Sequence, residues 1–183
     1  LLIAPFDAEL FGHWWFEGPQ FLSNIFIKSK DEGIKLITLK EALQVKSKIQ
    51  LCNPSPSSWG QGGFHDYWLD KSNAWIVHEW SKAGREMISI CSEGLIEESN
   101  IKILCQAGRE LLLAQSSDWS FILKAGTTTE LARQRINLHL NRFWILINAI
   151  RENKILNQKI FKEIEREDCI FPLISPTDWK KKI

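Results

Sequence analysis

The chain has 183 residues with an apolar share of 44%, enough for about one domain with a real core. Its net charge is +1, with both signs spread along the sequence, so it carries no electrostatic footprint for nucleic acid or an anionic membrane. No apolar run approaches the ~20 residues of a membrane helix, and four scattered cysteines (Cys52, Cys91, Cys105, Cys169) without a C-x-x-C pair argue for reduced thiols and against a thiolate metal site.

At the N-terminus LLIAPFD is an apolar run ending in a carboxylate, which reads as a short buried strand. Asp7 and Glu9 interrupt it and no basic segment precedes it, so a signal peptide is not expected. With the reduced thiols, this points to a cytoplasmic protein. Leu1 is not a start methionine, which points to a fragment or a processed chain. Pro19 suits the first turn of a helix running to about Lys30, with Gly33 as its stop. IKLIT predicts a second strand, and residues 38–45 a short helix opened by a Thr38/Glu41 capping box.

From 52 to 66 the sequence CNPSPSSWGQGGFHD is a loop by composition, with aromatics embedded. Beyond it the period becomes helical. Ile76, Trp80, Ala83, Met87 and Cys91 predict a helix over 72–93, and Ile101, Leu104, Ala107 and Leu111 another over 97–115. A short helix or turn over 116–124 is capped by Ser116 or Ser117. A Thr127/Glu130 capping pattern introduces a long helix over 128–152, and a polar helix covers 154–167.

Strands in front and helices behind predict a mainly α chain. The expected fold is the last strands and helix of an incomplete (β/α) barrel followed by a C-terminal helical bundle. The expected division is 1–50 for the barrel end, 51–70 for the tryptophan- and glycine-rich loop, and 71–183 for the helical domain. Too few strands are present to close a barrel, so the others are expected upstream of Leu1.

Asp7 stands where β/α barrels place catalytic groups, at the C-terminal end of a strand. The alternative is a carboxylate capping the next turn. Nine Trp against one Tyr is unusual. Indole faces stack on sugar rings, but they also fill cores. Trp75, Trp80 and Trp144 lie on or beside apolar helix stripes and read as core, whereas Trp179 in the basic DWKKKI tail reads as exposed or weakly packed. His13, His65, His78 and His139 show no paired-ligand spacing, so no metal is expected. His139, on one face with Arg135 and Arg142, reads as part of a solvated cationic surface. There is no P-loop, G-x-G-x-x-G or G-x-S-x-G pattern, and no cofactor is expected.

The string PFDAELFGHWWFEGP closely resembles the fourth conserved region of glycoside hydrolase family 57. PSSWGQGGFHDYWLD resembles the tryptophan loop of that family's branching enzymes, and ELLLAQSSDWSFILKAG with LHLNRF resembles their helical region. The resemblance runs from Ile3 to about Phe171, thinning after Arg151.

The resemblance implies a retaining transglycosylase that cuts an α-1,4 linkage of an α-glucan such as amylose or glycogen and moves the piece to a 6-hydroxyl. Asp7 would be its general acid/base. The nucleophile would be a Glu on a missing N-terminal portion of the barrel, leaving this chain alone inactive. His13 and Trp14 would lie in the active-site motif. Trp59 and Trp68, nine residues apart across Gly60, Gly62 and Gly63, would hold the glucan. Asp118 and Trp119 of SSDW would meet sugar hydroxyls near the scissile bond. Two plainer readings stay open: Trp68 as helix-cap packing, and Asp118 as a carboxylate stabilised by a helix N-terminus. An α-amylase or 4-α-glucanotransferase of the same family is the alternative activity, and a non-catalytic glucan-binding module the alternative class.

Overall fold

A computed structural model describes residues 1–45, 50–58, 60–94 and 96–181. The chain divides into two compact units, Leu1–Ser55 and Pro56–Ile183. That boundary falls inside the 51–70 segment.

The first unit is built on two helices, α1 (Gly18–Asp31) and α2 (Leu39–Val45). Pro19 occupies the first turn of α1, where its missing N–H costs nothing. Gly33 at φ +69° turns the chain out of the helix, and Ile34 N–H bonds back to Ser29 O at 2.8 Å. The Thr38/Glu41 capping box forms: Glu41 Oε2 accepts from Thr38 N at 2.7 Å, and Thr38 Oγ1 accepts from Glu41 N at 3.2 Å.

The two expected strands do not form. Neither 1–7 nor 34–38 is strand, and among the described residues the only β-type pairing is an isolated one between Phe11 and Trp15. The physical reason is that a strand exists through its ladder. An apolar run favours burial but supplies no neighbour to pair with or pack under, and Pro5 also lacks a donor. Both segments instead line a cavity of 720 Å³ together with Ile25 and Ala42. Leu2, Ile3, Phe16 and Phe26 remain exposed.

The second unit contains α3 (Ala74–Ser92), α4 (Glu98–Ala114), α5 (Ser117–Ala125), α6 (Thr129–Arg151) and α7 (Gln158–Glu167). Their apolar stripes meet in one core that includes Ile76, Met87, Leu104, Leu111, Phe143 and Ile147. Each such side chain contributes about 1.5–3 kcal/mol by leaving water. Trp75, Trp80 and Trp144 pack partly buried against this core, as their stripes predict.

Two helix starts differ from the sequence pattern. Thr127 and Glu130 do not form a box: α6 begins one residue later, and Glu130 accepts from Gln134 Nε2 at 3.0 Å. The last helix begins at Gln158 rather than 154. There Asn157 Oδ1 accepts from Lys159 N at 2.9 Å and Ile160 N at 3.3 Å, ending the need for an earlier start.

The segment after α7 returns across α3 and α4. Arg109 Nε donates to Ile170 O at 2.6 Å, and a short turn, Pro176–Trp179, closes with a Ser175/Asp178 capping box. Trp179 is not a loose tail residue. Its ring covers Gly108 of α4, where the missing side chain leaves room for an indole. The basic residues beside it gave no sign of that cleft.

His139 is likewise not on a solvated face. It is buried, 4% exposed, with Nδ1 2.8 Å from Glu110 Oε2 on α4. Arg142 turns to Asp168 at 2.5 Å and to Glu167. A helix face that is polar in sequence becomes interior here because another helix brings carboxylates to it.

Candidate functional site

Asp7 precedes a wide turn over Leu10–Trp14, closed by Trp15 N–H to Leu10 O at 2.9 Å. Gly12 sits in that turn at φ +107°, a conformation that L side chains avoid. The turn separates the two adjacent tryptophans. Trp15 joins an aromatic series, with ring centroids 5.9 Å from Phe11 and 4.8 Å from Phe21, while Phe11 meets Phe6 edge-on at 5.5 Å. Trp14 points outward, 73% exposed, with His13 edge-on to it at 4.8 Å. Asp7, His13 and Trp14 are thus all exposed within one short segment. An exposed carboxylate can exchange a proton with a ligand, and an exposed indole offers a flat apolar face to a sugar.

The second unit holds the other candidates. Trp59 lies outside the described residues. Trp68 is half-buried. Its ring meets Tyr67 edge-on at 6.4 Å and lies against Gly60, where an added Cβ would come within 3.0 Å of Trp68 Cζ3 and would strike the Phe64 carbonyl. The loop is folded on itself by Ser58, whose N–H donates to Gly63 O at 2.7 Å and whose hydroxyl donates to Phe64 O and accepts from Gly60 N at 3.0 Å.

Asp118 is exposed in the first turn of α5, accepting from Ser116 Oγ at 3.2 Å. Trp119 is half-buried against the core, and its indole N–H donates to Leu113 O at 2.8 Å. That hydrogen bond gives Trp119 a packing role whatever else its ring edge touches. Its neighbour Asp118 keeps its carboxylate toward solvent.

One cluster had no signal in sequence spacing. Glu110, His139 and Asp168 come from α4, α6 and the end of α7, and their ligand-type atoms lie within 4.8 Å of one another. Each already has a protein partner: Gln106 Nε2 donates to Glu110 Oε1 at 2.9 Å, and Arg142 Nη1 donates to Asp168 Oδ2 at 2.5 Å. Burial pushes the Glu110 carboxyl upward, and its bonds from His139 and Gln106 oppose this. This is a satisfied interior ion network, with an arginine already seated on one of its three carboxylate and imidazole groups. Burial also raises the Cys91 thiol to about 11, which makes it a packed apolar group and not a nucleophile.

Residues 79–179 match the family model described as "1,4-alpha-glucan branching enzyme, C-terminal", more than half of the chain. The chain belongs to this family. Family membership accounts for the helical second unit, since the matched residues take in most of α3, all of α4 to α7 and the Trp179 turn.

The 1,4-α-glucan branching enzyme of Thermococcus kodakarensis is 33% identical over 180 residues, covering 93% of this chain and 26% of that protein. A crystal structure of a GH57-type branching enzyme from Pyrococcus horikoshii matches with TM-score 0.86 at 31% identity, over 98% of this chain and 35% of that one. The α-amylase AmyC of Thermotoga maritima matches with TM-score 0.79 at 34% identity, over 98% of this chain and 33% of that one. The chain therefore spans about a quarter of the curated relative and about a third of the solved chains. No helix among the described residues is long and apolar enough to cross a membrane.

Proposed function

We propose that the protein carrying this chain is a retaining α-1,4-glucan branching enzyme. Residues 1–50 contribute the end of its catalytic (β/α) barrel, and 71–183 its C-terminal helical domain. The observation that carries the reading is the ordered loop around Trp68 in a chain of the branching-enzyme C-terminal family. Its supports are the exposed Asp7, His13 and Trp14 segment and the alignment of nearly all of this chain with part of known branching enzymes.

In this mechanism a Glu outside residues 1–183 attacks the anomeric carbon, at the ~5–5.5 Å carboxyl separation of retaining enzymes. Asp7 protonates the departing 4-oxygen. The glycosyl ester then breaks as the acceptor 6-oxygen bonds the anomeric carbon, and the 6-hydroxyl proton passes to Asp7. Trp14, Trp59 and Trp68 stack on glucose rings, His13 and Asp118 meet hydroxyls, and Trp119 offers the sugar an apolar ring edge. The α-glucan is the only small partner required, and the residues 1–183 alone do not turn over.

The α-amylase match supports a second reading, hydrolysis or 4-α-transfer by the same two-carboxylate chemistry. The deciding experiment incubates the full-length protein with amylose and counts new α-1,6 linkages by proton NMR and by debranching. New linkages exceeding new reducing ends support branching. Reducing ends or longer linear chains without α-1,6 linkages replace it with the second reading. Glucan binding without any turnover reduces the protein to a binding module.

A further inference from the structure

The segment that carries Trp68 is fastened to α5 by three contacts of different chemistry. Lys124 Nζ lies 2.7 Å from Asp70 Oδ2, while Asp70 Oδ1 accepts from Ser72 N at 3.0 Å and Ser72 Oγ at 2.9 Å. Asn73 is fully buried. Its amide donates to Tyr67 O at 2.8 Å and to Ser120 O at 3.1 Å, and its Oδ1 accepts from Asp70 N at 2.7 Å. The Tyr67 ring stacks on Phe121 at 4.7 Å and 15°. Trp68 is therefore bracketed along its own backbone, by a stacked and hydrogen-bonded residue before it and by an ion pair and a buried amide after it.

Such a loop, glycine-rich and on the surface, would otherwise sample many conformations. A platform ordered in advance spares the entropy of ordering on binding. Asp70 is held well below the usual carboxylate range, first by Lys124 and then by Ser72, so the pair is charged across the working pH range.

We infer that Asp70, Asn73 and Lys124 are positioning residues that lock the Trp68 platform onto α5 for an acceptor glucan, and thereby set whether the glycosyl group goes to a sugar or to water. This rests on the branching reading above. In both outcomes the ester to the nucleophile breaks and a new bond forms from the anomeric carbon, either to the acceptor 6-oxygen or to the oxygen of water. The displaced proton goes to Asp7 in either case. Water needs no platform, whereas the acceptor chain does, so loosening the platform penalises transfer selectively.

The test uses the full-length protein with Lys124→Met and Asp70→Asn, the rescue variant Lys124→Arg, and Arg151→Met as a control that loosens α6 elsewhere. Two quantities are read: α-1,6 linkages formed per reducing end released on amylose, and hydrogen exchange of peptides covering 60–73. For Lys124→Met and Asp70→Asn the expectation is a fall in that ratio and a rise in exchange, each on the order of tenfold, with hydrolysis preserved. Lys124→Arg restores both, and Arg151→Met changes neither. Faster exchange with an unchanged ratio overturns the inference, as does unchanged exchange. If Lys124→Met fails to fold, Asp70→Asn decides by the same two readings. A wild-type protein that forms no α-1,6 linkages brings down the branching reading itself, an outcome separate from an unresponsive variant.

Discussion

Replacing Gly108 by alanine sets two effects of known size against each other. In an exposed helix interior, Gly→Ala stabilises by about 1 kcal/mol through backbone entropy. At Gly108 the new Cβ would lie 2.5 Å from Trp179 Cη2, 2.9 Å from Cζ3 and 3.2 Å from Ile174 Cδ1. Overpacking of this kind costs about 1–3 kcal/mol. The expected net change is a loss of about 0–2 kcal/mol. Trp179 belongs to a four-residue terminal turn, so the cheaper relief is release of the tail rather than a shift of α4. Trypsin should then cut faster at Lys180 and Lys181 in Gly108→Ala, and the thermal transition should move down. Gly84 in α3 is the matched control, since the nearest atom to its added Cβ is Gln115 Nε2 at 4.0 Å. Gly84→Ala should gain up to about 1 kcal/mol. A Gly108→Ala protein as stable as Gly84→Ala, with an uncut tail, would refute the docking of Trp179 on α4.

Asp7→Asn in the full-length protein should lower kcat on amylose by at least ~10²-fold with the fold intact, and wild-type turnover by that variant would remove Asp7 from the chemistry. Gly60→Ala should raise KM for glucan more than it lowers kcat, because its Cβ meets the Phe64 carbonyl and the Trp68 ring; an unchanged KM would count against Trp68 as a glucan contact. Glu93 is held down to about 2 by the Arg151 guanidinium, with Ser89 adding a hydrogen bond. A depressed carboxyl stabilises above its unfolded value of ~4.3 and loses that contribution as pH falls toward 2. Acid unfolding followed by circular dichroism should therefore show less loss between pH 5 and 2 in Arg151→Met than in wild type, and an equal loss would deny the pair its role.

The helical part was legible because its stripes are strong and its stops are chemical. Gly94 and Gly126 both take positive φ where α3 and α5 end, and α4 and α6 fall within a residue of their predicted bounds. Strand formation was not legible. LLIAPFD and IKLIT have the apolar content of buried strands, but both burial and pairing depend on neighbours that a single segment does not encode, and both segments are largely exposed. His139 and Trp179 failed for a related reason. Each looks solvent-facing within its own segment, and each meets a residue about 30 to 70 positions away, Glu110 for the buried His139 and Gly108 for the partly buried Trp179. In the candidate site, Asp7, His13 and Trp14 come from one short motif, and each of them is exposed. The clip of Asp70, Asn73 and Lys124 escaped notice because its members are polar residues of ordinary spacing whose partners sit on another helix.

The buried Glu110–His139 pair has a consequence for the order in which the second unit can assemble. The apolar seams of α4 and α6 can meet as soon as both have been synthesised. Doing so carries Glu110 inside and leaves Arg142 without its carboxylates until Glu167 and Asp168 follow. Gln106 also waits for the Asp168 carbonyl, 3.1 Å from its amide. Without residues 167 and 168, α4 and α6 therefore meet with Arg142 lacking both of its carboxylate partners. The network thus makes the α4–α6 seam depend on the end of α7, so its polar groups are all answered only when three separate stretches of the chain are in place.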